Sequence, residues 1–200
     1  MTQMSRESAR SLVRLAQQQG GYFTSKQAQD VGYAYPQLVY HVSSGNFERV
    51  HHGLYRLPTV PISEHDDLIR LSFWSRNQKD ELQAVVSHES ALVLHELSEL
   101  LPGAIHLTVP PKFRKNPQPG CVLHKATLTE SDVEEWSGFR VTTPLRTILD
   151  VAEDGVSQEQ LAKAISDALS KGLMRLKSIQ DVAKHSEAIS IALGGKRPKR

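Results

Sequence analysis

Histidine is the residue type in this sequence that most invites a chemical interpretation, because imidazole binds metals and transfers protons. Nine histidines occur among 200 residues. His88 and His95 lie seven apart and could share a helix face. Cys121 and His124 lie three apart, but a single cysteine cannot form a Cys-x-x-Cys pair and no four-ligand spacing occurs. The spacing favours scattered core and surface histidines, and predicts no metal site and no cofactor.

Nuclease chemistry is the enzymatic alternative. Metal-dependent nucleases of the restriction type usually carry a carboxylate and a lysine two residues apart on one strand. The sequence contains no Asp-x-Lys or Glu-x-Lys, and Lys125 has no acidic partner at that spacing. Ser87, His88 and Glu89 are adjacent, whereas catalytic triads are assembled from distant positions. The sequence therefore predicts no catalytic residue and no enzyme.

A helix able to read DNA bases is predicted in "YAYPQLVYHVSSG". Pro36 suits the first helical position and Gly45 the position just past the end. Leu38 and Val42 lie four apart on one face, and the opposite face is polar but nearly uncharged. Such a helix can enter the major groove, where glutamine pairs with adenine. The base-facing candidates are Gln37, Tyr40, His41 and Ser44.

A β-hairpin follows in "FERVHHGLYRL", residues 47–57, with His52 and Gly53 as its tip. In a winged helix-turn-helix, a hairpin at this position lies beside the recognition helix. Basic residues there can reach phosphate or the minor groove. The candidates are Arg49, His52 and Arg56, and Lys26, near the start of the preceding helix, is a candidate phosphate contact.

The elements that come before are predicted from capping signals. Residues 5–19 show helical spacing of apolar residues, with Ser5 as the cap. Thr24 and Gln27 match a capping box that opens a short helix ending at Gly32. Helix, short helix, tight turn, helix and hairpin together have the order of a winged helix-turn-helix, over residues 1–61.

Residues 62–194 predict a second domain of mixed α+β structure, followed by a basic disordered tail over residues 195–200. The predicted helices cover 63–77 (capped by Ser63), 87–103, 157–173 and 176–189. The predicted strands cover 104–110 and 120–128. Residues 139–153 are predicted to be the end of a strand followed by a helix, which Thr143 caps and in which Pro144 is the first residue. Arg146 and Asp150, four apart, predict an ion pair within that helix.

The net charge of +2 conceals an uneven distribution. Residues 1–61 carry six Lys/Arg against three Asp/Glu, residues 62–194 carry fourteen against nineteen, and the tail carries four against none. Basic segments attract polyanions whatever their sequence. Because the predicted recognition helix is poor in Lys and Arg, phosphate affinity must come from the hairpin, the loop 112–115 or the tail 196–200.

The sequence shows no sign of export or membrane insertion. No apolar run approaches the roughly 18 residues of a membrane span. The start, "MTQMSRESAR", does not read as a signal peptide. One cysteine excludes an internal disulfide framework. We expect a cytoplasmic protein, associated with the nucleoid when bound to DNA.

Several stretches resemble the AbiEi-type antitoxins of bacterial type IV toxin–antitoxin systems. They are "GGYFTSKQAQDVG" through "GNFERVHHGLYRLP", then "VSHESALVLHEL" at 86–97, and "VTTPLRTILDVAE" at 141–153. They occur in the order of that family and bracket most of residues 20–153. The third stretch is the most specific.

The resemblance implies a transcriptional repressor that is also an antitoxin, in abortive infection and phage defence. Its winged helix would bind inverted repeats in its own promoter, as a monomer that binds cooperatively on DNA. Its C-terminal domain would counteract a nucleotidyltransferase-like toxin, and this action would not require a stable complex. Carried over from the family, the DNA-facing residues are Lys26, Gln37, Tyr40, His41, Arg49 and Arg56. The alternatives are a protein-interaction module that docks a partner such as the toxin, or a metal-dependent nuclease.

Overall fold

The computed structural model describes residues 3–97, 99 and 102–194, which form an α+β protein, as the sequence predicted. The helices within these residues are α1 (Gln3–Gln18), α2 (Ser25–Asp30), α3 (Tyr35–Ser43), α4 (Asp66–Ser75), α5 (His88–Leu94), α6 (Pro144–Glu153), α7 (Gln158–Ser170), α8 (Leu176–Ala183) and α9 (Glu187–Ala192). The strands are β1 (Tyr22–Thr24), β2 (Glu48–His51), β3 (Leu54–Arg56), β4 (Val85–Val86), β5 (Ile105–Val109), β6 (Cys121–Lys125), β7 (Val133–Trp136) and β8 (Phe139–Thr142). The predicted tail lies outside the described residues.

The chain divides into two compact units. The first runs up to residue 83 and includes 135–139, and the second contains 84–134 and the chain from 140 onward. Helix α4 belongs to the first unit, whereas the sequence put it after a boundary at residue 61. The hydroxyl of Tyr22 donates to Asp66 Oδ1 at 2.9 Å, which ties α4 to strand β1. Burial and this hydrogen bond raise the pKa of Tyr22 to about 12.

The first unit contains the elements predicted for a winged helix-turn-helix, together with one strand that the sequence did not reveal. Strand β1 pairs antiparallel with β3, and β3 pairs antiparallel with β2, so β3 is central in the order β1-β3-β2. A run of three residues is too short to show alternation in the sequence. The presence of β1 makes β3 a central strand instead of an edge strand.

An aromatic core holds the first unit together. The ring of Phe23 lies 5.0 Å from Phe47, edge to face, and 5.7 Å from Tyr55, stacked. Leu12 and Leu38, at 1% and 0% exposure, bring helices α1 and α3 onto the same core. Helix α3 is therefore positioned by a single fully buried leucine.

The capping box that opens α2 is confirmed. Thr24 Oγ1 accepts from the backbone N–H of Gln27 at 3.1 Å, and the Gln27 side chain accepts from the backbone N–H of Thr24 at 2.9 Å. Two other predicted caps are wrong. Helix α1 starts at Gln3, so Ser5 lies inside it, and α4 starts at Asp66, after a turn in which Ser63 accepts from the N–H of His65.

The second unit is built on the sheet with strand order β6-β5-β4-β8-β7. Strand β4 pairs antiparallel with β5 and parallel with β8, while β5 and β6 are parallel. Strands β5, β6 and β8 were predicted. Strands β4 and β7 were not, because they are short and lack an alternating pattern.

The helices of the second unit are shorter than predicted. The helix expected over 87–103 ends at Leu94, and Glu96 adopts a left-handed φ of +55°, which no helix continues through. The helix expected over 176–189 is two helices, α8 and α9, because Ser186 caps the second. Thr143 caps α6 with Pro144 first, as predicted.

The predicted ion pair in α6 is formed. Arg146 Nη2 lies 2.7 Å from Asp150 Oδ1. Asp150 is only 3% exposed, and its Oδ2 has no hydrogen-bond partner among the described residues. Burial raises the pKa of this carboxyl, while Arg146 opposes the shift. Within the described ranges, no helix is long and apolar enough to cross a membrane.

Candidate nucleic-acid interface

Helix α3 turns most of its surface to solvent. Leu38 is its one fully buried residue. Tyr35, Val39 and Tyr40 are exposed by 55%, 53% and 65%. These three exposed side chains make α3 a candidate interaction surface.

Two of the predicted base-facing residues point away from the core. Tyr40 is the most exposed large side chain of α3. Gln37 is also exposed, and its Oε1 accepts from the backbone N–H of Ala34 at 2.7 Å. This contact occupies Oε1 of the exposed Gln37 amide, so its Nε2 is the group that can donate to an acceptor such as a base.

The other two predicted base-facing residues have structural contacts. The ring of His41 packs on Phe47 with centroids 4.7 Å apart, and His41 Nδ1 lies 3.2 Å from Asn46 Nδ2. Ser44 Oγ donates to the backbone carbonyl of Tyr40 at 2.9 Å, so it terminates the helix. His41 and Ser44 therefore shape the end of α3.

The hairpin separates its two arginines. Arg49 lies on β2, an edge strand, and is exposed. Arg56 lies on the central strand β3 and is 7% exposed. Its guanidinium donates to the carbonyl of Val60, and Nη1 lies 3.8 Å from Glu48 Oε2. Arg56 therefore stabilises the hairpin and the chain that leaves it.

The hairpin tip is attached to the body of the first unit. Gly53 has a left-handed φ of +70°, which glycine adopts without penalty. Its carbonyl accepts from the backbone N–H of Ser25 at 3.0 Å, at the start of α2. The carbonyl of His52 accepts from Arg76 Nη2 at 3.3 Å. The exposed imidazole of His52 is thus carried on a fixed backbone.

Lys26 is exposed near the start of α2, as predicted, and it has a second lysine beside it. Its Nζ donates to the backbone carbonyl of Lys79 at 3.0 Å. Sequence analysis missed Lys79 and Arg76 because it assigned them to the second domain. Only the fold brings Arg76 to the hairpin tip and Lys79 to Lys26, so no local sequence signal could have found them.

A second group that the sequence analysis missed lies on α1. Arg6, Arg10 and Arg14 are exposed at four-residue spacing, so they line one face of the helix. This spacing was a visible signal. In the second unit, the loop expected to be basic exposes Lys112, Arg114 and Lys115 around the buried ring of Phe113.

Comparison with known proteins finds one family match, in the first unit. Residues 10–58, which contain most of α1, the helix pair and the hairpin, match the family described as "Transcriptional regulator, AbiEi antitoxin". No curated protein matches the sequence. Among solved structures, the RV2827C protein from Mycobacterium tuberculosis is similar at 12% identity and a TM-score of 0.45, over 98% of this chain and 83% of that one. Over residues 10–58, the chain is therefore similar to the AbiEi antitoxin family of transcriptional regulators.

Proposed function

We propose that this chain is a cytoplasmic antitoxin of the type IV class, serving phage defence, that represses its own operon. Its first unit binds inverted repeats in the promoter with α3 in the major groove and the β2–β3 hairpin beside it. Each copy binds one half-site, and the copies bind cooperatively. Its second unit counteracts a nucleotidyltransferase-like toxin. The chain acts as a regulator and not as an enzyme.

The exposed face of α3 is the observation that carries the proposal. Tyr40, more than half exposed, projects outward together with the amide of Gln37. Hydrogen-bonding and aromatic side chains on an otherwise uncharged helix suit contact with base edges. The cations lie around this helix instead of on it, on the edge strand through Arg49 and at the start of α2 through Lys26. Phosphate contacts from such positions fix the register of a protein on the duplex.

The experiment is a gel-shift titration of the purified chain on its own upstream DNA, with scrambled DNA as competitor, at two salt concentrations. A specific shift in two steps supports binding to paired half-sites, and the spacing of the two steps measures cooperativity. Affinity must fall steeply between the two salt concentrations, because each neutralised phosphate releases counterions. Equal affinity for scrambled DNA would overturn promoter binding.

The antitoxic half of the proposal needs its own test. Expression of the full chain together with the cognate toxin should restore the growth that the toxin alone inhibits. Tyr40→Ala, which should weaken DNA binding, should leave that rescue intact when both genes are expressed from foreign promoters. If the variant also loses rescue while folding normally, the two activities do not divide between the two units.

Protein docking is the second candidate function, because the exposed face of α3 is also apolar. Tyr35 and Val39 flank Tyr40 on a helix without lysine or arginine. Aromatic side chains of this kind are enriched at protein interfaces. Co-purification of the toxin at moderate salt, abolished by Tyr35→Ala, would support docking. A toxin that does not co-purify would leave DNA as the ligand of this face.

A further inference from the structure

Three histidines that are scattered along the sequence meet in the second unit. The rings of His88, at the start of α5, and His124, on β6, stack with centroids 3.5 Å apart. His106 Nδ1, on β5, lies 3.0 Å from His124 Nε2. The parallel register pairs Thr108 with His124, which places His106 and His124 on the same face of the sheet. The sequence analysis expected no metal site here, since spacings of 18 residues and more carry no local signal.

His88 is held in place more firmly than a surface histidine. It is 7% exposed and adopts a left-handed φ of +52°, unusual for a residue with a side chain. Its Nδ1 lies 2.9 Å from Ser87 Oγ, which in turn accepts from Thr108 Oγ1 at 2.8 Å. When Nδ1 donates to that hydroxyl, the lone pair of Nε2 is left for a ligand.

A carboxylate completes the group. His88, His124 and Asp154 each offer one ligand atom, and these three atoms lie within 4.8 Å of one another. Asp154 is exposed at the C-terminal end of α6, so the group is open to solvent on that side. Bonds of about 2.0–2.2 Å to a shared ion require these atoms to come closer together, to about 3.5 Å from one another in a tetrahedral site. Two imidazoles with one carboxylate form a donor set suited to zinc, and three protein ligands leave a fourth position for water.

We propose that His88, His124 and Asp154 bind one Zn²⁺ ion, linking the start of α5, strand β6 and the end of α6. His106 is a positioning residue, because its contact with His124 orients that ring. Metal-bound histidines characteristically engage their second nitrogen in this way. The site is independent of the proposed DNA interface.

The test is a titration of the chelator-treated, full-length chain with Zn²⁺ in competition with a chromophoric chelator. The expected result is one tight equivalent per chain. His124→Gln and Asp154→Asn should remove the tight equivalent, while His106→Gln should weaken it by about 10–100-fold through lost orientation. Titration with Co²⁺ should give the intense visible absorption of a four-coordinate site.

Matched controls come from the same unit. His185→Gln and Glu153→Gln change an exposed histidine and the exposed neighbour of Asp154, and both should bind as the unaltered chain does. Asp154→Asn alters an exposed side chain, so circular dichroism should show an intact fold. The proposal is wrong if no tight equivalent is found, or if Asp154→Asn and His124→Gln bind zinc as tightly as the two controls.

Discussion

The two arginines of the hairpin should respond differently to the same substitution, and this difference tests the DNA interface. Arg49 is exposed on the edge strand, with no acidic side chain at ion-pair distance among the described residues. Arg56 is 7% exposed and donates to the carbonyl of Val60. Arg49 is free to reach phosphate, whereas Arg56 is already used within the fold.

The expected magnitudes follow from these environments. Loss of one phosphate contact lowers the salt dependence of log K by about 0.9. When salt rises from 50 to 200 mM, both proteins should lose affinity for DNA. The fold-loss for Arg49→Ala should be about 3.5 times smaller than the fold-loss for the unaltered chain. Its free energy of unfolding should change by less than about 0.5 kcal/mol. Arg56→Ala removes a buried guanidinium and leaves the half-buried carbonyl of Val60 without its donor, which costs about 2 kcal/mol of stability.

The assay is fluorescence anisotropy on labelled promoter duplex across that salt range, with urea unfolding of the same samples. Arg175→Ala, an exposed arginine of the second unit, is the matched control and should change neither quantity. Two results would refute the reasoning. In the first, Arg49→Ala keeps the full salt dependence. In the second, Arg56→Ala reduces the salt dependence of binding by one phosphate contact without loss of stability. That result would mean that Arg56 leaves its buried position when the protein binds DNA.

Three further predictions concern single contacts. Tyr40→Ala should weaken promoter binding at least about fivefold, since large central side chains dominate interfaces, with unfolding in urea unchanged. Thr24→Ala removes the cap of α2 and should cost about 1 kcal/mol in the same unfolding assay. Arg146→Ala leaves Asp150 buried without a cation and should cost about 3 kcal/mol. Because burial raises the pKa of Asp150, its charged form is disfavoured, so this loss should be larger at pH 8 than at pH 5. An equal loss at both pH values would contradict that account.

The N-terminal fold could be predicted because its signals are local. The Thr24–Gln27 capping box, the apolar pair at the centre of α3 and the glycine at the hairpin tip each depend on residues a few positions apart. The placement of Arg56 depends on something non-local. The hairpin alone would leave that arginine on an outer strand, but β1 pairs with the far side of β3 and covers it.

The candidate sites show the same division between local and distant determinants. Outward positions on α3 follow from helical periodicity, and Tyr40 and Gln37 are exposed as periodicity required. His41 turned inward because Phe47, beyond the end of the helix, offers its ring a packing partner. The histidine cluster was beyond prediction, since it depends on the parallel pairing of β5 with β6 and on the backbone conformation of His88.

The proposed interface separates base reading by α3 from phosphate binding by the surrounding cations, and this arrangement would have a consequence for specificity. Helix α3 contains no Lys, Arg, Asp or Glu, so in the proposed complex its contacts with DNA would be short-ranged and would depend on the bases it meets. The cations, Arg49 on the edge strand and Lys26 on α2, attract any duplex. Raising salt should therefore weaken binding to operator DNA and to scrambled DNA by the same factor. The ratio of the two affinities should stay unchanged. A ratio that falls with salt would mean that the base-reading surface includes a charged side chain.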